Sequence, residues 1–400
     1  MAANRVYDTN PDRTVVAGGL LLAVAVVLTA LNLRPAVTSV APLLGDMRDA
    51  LGTSSTWAGL LTSLPPLCFA AAGLTAPWLA ARIGLGRTIS VALVALTAGL
   101  ALRPMDGAYL MLGATLVASA GIALANVLLP VVIKTSFPAR IGLMTGVYTA
   151  ALQGGGALGS AVAPGTEDVL GGWRQALAAW SVLAFVALLF WLVAARRHRD
   201  AWQAGSASTA PRRSLLRNPL AWTITLFFGT QGFLAYIVMG WLPQVFIDNG
   251  LGKLEAGMLV GLTSLLGVPF ALIVTPLAAR SANQTGWIVA LGLTGSVATV
   301  GLIVAPAAAP LLWSVLMGVG MSTFSLALAV IALRARDAAD TAQLSGMAQG
   351  LGYLLASTGP LLFGMLHDAS HGWTLPFVMF LGVFVVQMAT GAVAGRNRYV

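Results

Sequence analysis

The chain has 400 residues, 58% of them hydrophobic and only 9% charged, with a mean hydropathy of +0.86. Soluble domains run near 45–50% apolar and about 25% charged, so this composition excludes a soluble globular protein and points to one solvated by lipid. The net charge of +9 does not signal nucleic acid, because the charges occupy short gaps between apolar runs rather than a basic face.

Residues 1–13 are polar and mixed in charge. The apolar run behind them is too long for a signal-peptide core and lacks a small-residue cleavage site, so it reads as a retained first helix. Crossing about 30 Å of hydrocarbon takes about 20 residues. Apolar windows of that order fall at 14–44, 54–80, 88–103, 108–133, 141–164 and 173–195, then at 219–247, 255–279, 287–305, 310–333, 343–366 and 373–394. The predicted fold is all-α and integral to the membrane, with twelve transmembrane helices in two pseudo-symmetric six-helix bundles, 1–195 and 219–400. Between them, 196–218 joins a basic run to Ala-Gly-Ser-Ala-Ser-Thr-Ala-Pro, a linker composition; its arginines read as topological anchors at the inner leaflet.

The halves repeat one another. Leu61-Thr62-Ser63-Leu64 recurs as Leu262-Thr263-Ser264-Leu265, and Leu79-Ala80-Ala81-Arg82 as Leu277-Ala278-Ala279-Arg280. Gly146, Gly159, Gly172 and Trp173 reappear at a spacing of 200 as Gly346, Gly359, Gly372 and Trp373. A nearly constant offset over the whole length indicates internal duplication, the architecture of many transporters. Alternate gaps hold 17 Lys and Arg on one side, against Arg48, Arg103, Arg174 and Lys253 on the other. The positive-inside rule then puts both termini in the cytoplasm, for a protein of a bacterial inner membrane.

The remaining basic residue, Arg34, follows one apolar run and precedes another. If the first helix continues through it, Arg34 lies inside the bilayer; if that helix ends at Leu33, Arg34 snorkels at the surface. The apolar run up to Leu44 favours the embedded position. An intramembrane arginine costs about 2.5–3.5 kcal/mol on insertion scales and is normally retained because it faces a cavity or partner. All 13 acidic residues fall at span ends or in loops, so Arg34 has no evident acidic partner and the substrate becomes the candidate anion. A guanidinium grips a small planar anion in bidentate fashion. The histidines, His198, His367 and His371, map to loops, so no buried proton relay is visible.

Four motifs carry a resemblance. Asn32-Leu33-Arg34-Pro35, then Asn126-Val127-Leu128-Leu129-Pro130 with Lys134 and Phe137-Pro138, Trp241-Leu242-Pro243, and Gln343-Leu344-Ser345-Gly346-Met347-Ala348-Gln349-Gly350 together resemble the cyanate and 2-nitroimidazole transporter (CynX/NimT) family of the major facilitator superfamily. The resemblance implies a rocking carrier whose central cavity is lined by helices 1, 4, 7 and 10, with Arg34, Asn126 and Tyr236 near it. Arg82, Gly84 and Arg87 match the superfamily's cytoplasmic gate between helices 2 and 3, but Ala81 stands where an aspartate is usual, which puts the usual charge latch in doubt. Helix 5 has Gly154-Gly155-Gly156 and Gly159, read as close-packing residues, and no Gly-Pro step of the drug/proton antiporter kind.

Further candidate binding residues are Tyr148, Gln231, Gln349 and Tyr353, with Gln349 and Tyr353 sharing a helix face at i, i+4. Asn126 serves either as a ligand or as an interhelical bond. Trp57, Trp173 and Trp373 read as interfacial anchors, and Cys68 as a small buried apolar residue. No Walker-type loop, no metal-spaced cluster and no clustered acid/base groups occur, so the expectation is a monomeric carrier of a small, anionic or nitro/carboxylate-bearing solute, with an exporter of neutral nitroheterocycles or drugs as the alternative, and with no ATP, cofactor, nucleic acid or enzymatic step.

Overall fold

A computed structural model describes residues 19–197, 215–336 and 338–400. The amino-terminal stretch, most of the linker with His198, and Asp337 lie outside the described residues. Within the described residues the chain makes twelve helical passages. In the first half they are α1 (Leu20–Asn32, resumed in Pro35–Thr38, Ala41–Leu43 and Leu44–Leu51), α2 (Ser55–Ile83), α3 (Leu85–Leu102), α4 (Ala108–Ser136), α5 (Ile141–Leu170) and α6 (Trp173–Arg197). In the second they are α7 (Pro219–Asp248), α8 (Lys253–Ala279), α9 (Thr285–Val304), α10 (Pro310–Met321, resumed as Thr323–Leu333), α11 (Ala338–Ser370) and α12 (Thr374–Ala394).

Each passage overlaps a window predicted from hydropathy. Nine are long and apolar enough to span a bilayer unaided; α2, α5 and α11 are not among those nine. These three, with α8, form the seam between the halves, α2 against α11 and α5 against α8. A helix that faces another half and a polar cavity needs fewer lipid-loving residues than one bathed in lipid.

Tertiary packing follows the duplication. One apolar core is built within residues 22–195 around Leu93, Ile122 and Trp191. A second gathers Phe227, Phe228, Leu326 and Val330. A third binds both halves together at one end, with Met47, Leu61, Trp241, Phe246 and Phe363.

That end, opposite the face where Leu20 and Val400 lie, is closed by contact between the halves. A Cβ built on Gly59 falls 2.6 Å from Pro360 O, and one on Gly364 falls 2.4 Å from Ser55 O. On the other arm, a Cβ on Gly257 falls 2.4 Å from Ser160 O. Only glycine allows such backbone approach, and the gain is dense dispersion contact where lipid offers no hydrophobic drive.

Polar groups lock the same closure. The Asp368 carboxylate, at the end of α11, accepts from Ser55 N (3.1 Å), Thr56 N (2.6 Å) and Thr56 Oγ1 (2.7 Å), capping the N-terminus of α2 from the other half. Beside it Ser55 Oγ and His367 Nδ1 lie 3.1 Å apart. His367 therefore sits in the last turn of a helix, against the seam, and not in a loop as its sequence position suggests. On the other arm Lys253 pairs with Asp46 and, at 3.5 Å, with Glu167.

Two of the predicted interfacial tryptophans pack inside this closure instead. Trp173 is 8% exposed, and Trp373 lies 5.8 Å from both Trp241 and Phe363 while donating to Asp248 Oδ2 at 3.2 Å. Their position at span ends misleads because the neighbour there is protein, not lipid headgroup. At the opposite end Gly84 turns the chain from α2 to α3 with φ +90°, which favours glycine; Arg82 lies over the Trp78 ring at 4.5 Å, and Arg82 and Arg87 are exposed.

Candidate substrate site

The site begins with a break. Pro35 has no N–H, so the carbonyl of Leu31 loses its helical donor, and α1 ends at Asn32 before resuming at Pro35. The sequence reading of one helix running through Arg34 is thus corrected: Arg34 stands at the break itself, as the residue before the short helix Pro35–Thr38.

Neighbouring helices stabilise this break. A Cβ on Gly155 falls 2.3 Å from the orphaned Leu31 O, one on Gly156 falls 3.1 Å from Arg34 Cδ, and one on Gly159 falls 2.7 Å from Pro35 Cα. The glycine run of α5 is therefore a cradle cut to the shape of the break. Thr38 Oγ1 donates to Gly156 O at 2.9 Å, and Asn32 Nδ2 donates to Leu28 O at 2.8 Å and Leu183 O at 3.3 Å.

The cradle turns the Arg34 side chain into a central cavity of about 170 Å³. Its walls include Asn126 of α4, Gln153 of α5, Tyr236 and Met239 of α7, Ser264 of α8, Met321 and Phe324 of α10, and Phe69 and Tyr353 of α2 and α11. Arg34 has no ion pair among the described residues. Tyr148, Tyr236 and Tyr353 stand within electrostatic reach of its guanidinium. An arginine stays charged in any protein environment, so this cavity holds a fixed cation and, among the described residues, no fixed anion.

One wall is aromatic. Tyr353 lies 5.3 Å from Phe69, 5.2 Å from Phe228 in an edge-on contact and 6.4 Å from Tyr236. The opposite side is polar: Tyr148 donates to Asn126 Oδ1 at 2.7 Å, and Gln153 Nε2 donates across the seam to Ser264 O at 3.2 Å.

The predicted residues divide accordingly. Arg34, Asn126, Tyr236 and Tyr353 line the cavity, while Tyr148 supports Asn126 from behind. Gln349 bonds Ser345 Oγ at 2.6 Å on its own helix, one turn from Tyr353. Gln231 points elsewhere: fully buried, it donates to Met321 O at 3.0 Å and accepts from Gln387, satisfying a carbonyl at the break in α10. α7 is continuous through Gly232, so Gln231 and Tyr236, five residues apart, diverge around it.

Gln153, Ser264 and Ser322 were missed, although a glutamine within an apolar span is itself a signal. Arg103 was read as an outer-loop cation. It is 1% exposed and donates to Ala36 O at 2.6 Å, folded back under the end of α3.

A polytopic helical protein with duplicated halves, a seam closed at one end and a cavity between the halves that holds a buried cation is a membrane transporter by architecture. The Major Facilitator Superfamily pattern matches residues 20–357. The chain is 36% identical to the 2-nitroimidazole transporter of Escherichia coli K12 (95% of this chain, 96% of that protein) and 30% identical to the Cyanate transport protein CynX of the same organism (90% and 95%). Its fold matches the crystal structure of a bacterial homolog of the human lysosomal transporter Spinster with a TM-score of 0.78 at 14% identity, over 95% and 98% of the two chains. The chain belongs to the Major Facilitator Superfamily, within the cyanate and 2-nitroimidazole transporter group whose motifs it carries.

Proposed function

We propose that this protein is a secondary carrier for a small solute bearing an anionic or nitro group, gripped by Arg34 and moved by alternating access. The observation that carries this reading is the guanidinium of Arg34 in a mid-height cavity with no ion-pair partner among the described residues. Charge-assisted hydrogen bonds are worth about 1.5–3 kcal/mol each, so a bidentate ligand supplies the energy that the site itself lacks.

Cavity size limits the cargo. An apolar cavity of about 150 Å³ holds benzene, so a space of about 170 Å³ suits one ring or less. The aromatic wall of Phe69, Tyr236 and Tyr353 offers stacking to a planar ring, while Asn126 offers a directional amide.

Alternating access follows from the seam. With termini in the cytoplasm, the closed end faces outward and the cavity is loaded from inside. Cargo that neutralises Arg34 removes the penalty of drying an unpaired cation, so the cytoplasmic ends close only over a filled site. Outward opening then requires the Asp368 cap and the Lys253 pairs to part.

The test is solute flux in reconstituted vesicles, with labelled cyanate, benzoate and 2-nitroimidazole as probes. Saturable flux of at least one, abolished by Arg34→Ala, supports the reading; equal flux in wild type and Arg34→Ala contradicts it. Electrogenic movement of an anion favours anion transport, and electroneutral movement of 2-nitroimidazole favours the neutral nitro solute of the alternative reading.

A further inference from the structure

Arg103 lies at the C-terminal end of α3, buried, with Nη1 on the carbonyl of Ala36 at 2.6 Å. Its Nε is buried without a partner, and no ion pair reaches it among the described residues. Drying a guanidinium for one neutral acceptor is an expensive arrangement, and packing alone would be served better by methionine or leucine.

The identity of the acceptor explains the arrangement. In an unbroken helix Ala36 O would receive the N–H of Val40, but that N–H bonds Val37 O at 3.4 Å. Ala36 O is therefore a carbonyl freed by the second interruption of α1, between Thr38 and Ala41, two residues after Arg34 and at the far end of the short helix that Arg34 precedes. Between the two stands Pro35, whose ring fixes its backbone torsion. Arg34 O is itself held by Val37 N at 2.9 Å and Thr38 N at 3.0 Å, so the segment from Arg34 to Thr38 moves as a unit. That unit is pinned from α5 by Thr38 on Gly156 O and from α3 by Arg103 on Ala36 O.

We propose that Arg103 is a positioning residue: by occupying the freed Ala36 carbonyl it keeps α1 broken and the Arg34 fork aimed into the cavity. This rests on the reading of Arg34 as substrate anchor. Without the donor, Ala36 O recaptures a helical N–H, the break tightens, and the fork turns from its aim.

Purified full-length protein is titrated calorimetrically with cyanate, benzoate and 2-nitroimidazole, and variants are compared on whichever of these the wild type binds. Arg103→Met is expected to lose about tenfold or more in affinity, while Arg103→Lys, still able to donate to Ala36 O, stays within about threefold. In an Arg34→Lys background, where no fork remains to be aimed, Arg103→Met is expected to cost less than about twofold further. An equal loss in both backgrounds marks a general structural role and overturns the proposal, as does wild-type affinity in Arg103→Met. If Arg103→Met does not fold, the lysine variant decides: a folded Arg103→Lys losing more than about tenfold overturns it. Binding that survives Arg34→Ala overturns the anchor reading and this proposal with it; binding lost in Arg34→Ala but intact in Arg103→Met overturns this proposal alone.

Discussion

Where α1 and α7 meet the cavity, repeat-related helices present opposite chemistry: α1 is interrupted and brings a cation, whereas α7 runs unbroken from Pro219 to Asp248 and brings Tyr236 and Met239. Both contain proline, but Pro243 lies inside the continuous helix while Pro35 begins a new segment. Proline alone does not break a membrane helix; neighbours must receive the freed groups. In the first half Arg103 receives the Ala36 carbonyl, while Gly155, Gly156 and Gly159 leave room for the broken segment and Thr38 ties it to Gly156 O. In the second half the space along α7 is filled by Phe227, Phe228, Phe233 and Trp241, all buried. Duplication supplied the scaffold, and divergence at these packing positions divided the site into a charged side and an aromatic side.

The sharpest way to break the comparison is Arg34→Ala, which deletes the charged side. Two lost charge-assisted bonds predict a fall in affinity of about 100-fold or more by calorimetric titration, with Arg34→Lys intermediate at about tenfold because it keeps charge but not the fork. Next in size is the cradle. Gly155→Val drives side-chain atoms into Leu31 O and is expected to destabilise the protein by about 1–3 kcal/mol in thermal unfolding.

The aromatic side is tested by Tyr353. Tyr353→Leu removes ring contacts with Phe69, Phe228 and Tyr236 and is expected to weaken binding of a ring-bearing probe about tenfold, whereas Tyr353→Phe keeps the rings and costs less than about threefold.

A smaller effect separates the two arms of the closure. Burial pushes the Asp368 carboxyl upward, but the bonds from Thr56 and Ser55 outweigh it and hold the group below its ordinary value. Burial, with Asp46 and Asp168 nearby, pushes Glu167 up, and Lys253 only partly opposes this. Asp46 and Asp168 belong to the same half as Glu167, so the charge that closure adds to it is Lys253, which opposes the rise. Asp368 is lowered by donors of the opposite half, so its contribution to closure is lost as pH falls from the ordinary aspartate value through the depressed one. Spin-label distances across the closed end should therefore lengthen on strong acidification. Asp368→Asn removes this change. The smallest effect is expected at Gly154, which faces open space: Gly154→Ala should raise stability by about 0.5–1 kcal/mol, the opposite sign to its neighbour.

Much of this was legible beforehand. Apolar run length reported the passages, because lipid demands it of every exposed helix, and the lone charge between two runs marked Arg34. Tyr236, Tyr353 and Asn126 showed as polar groups within spans. The break was not legible, since Arg34-Pro35 is compatible with a kinked continuous helix until the α5 glycines are placed against it. Arg103 escaped because its span-end position is indistinguishable from that of a loop cation; only the folded end of α3 brings it under Ala36. Gln231 and Tyr236 differ in direction, which spacing hinted at and packing decided. The closure by Asp368 and His367 needed knowledge of which helix ends meet across the seam.

The central claim is that Arg34 recognises negative charge on the cargo, and titration with a matched pair tests it most directly. Benzoate and benzamide have the same ring and nearly the same shape, differing in the charge presented to the guanidinium. The account predicts that benzoate binds at least about tenfold more tightly than benzamide to the wild type, and that the difference disappears in Arg34→Ala. Equal affinities in the wild type, or a preference for benzoate that persists without Arg34, would contradict it.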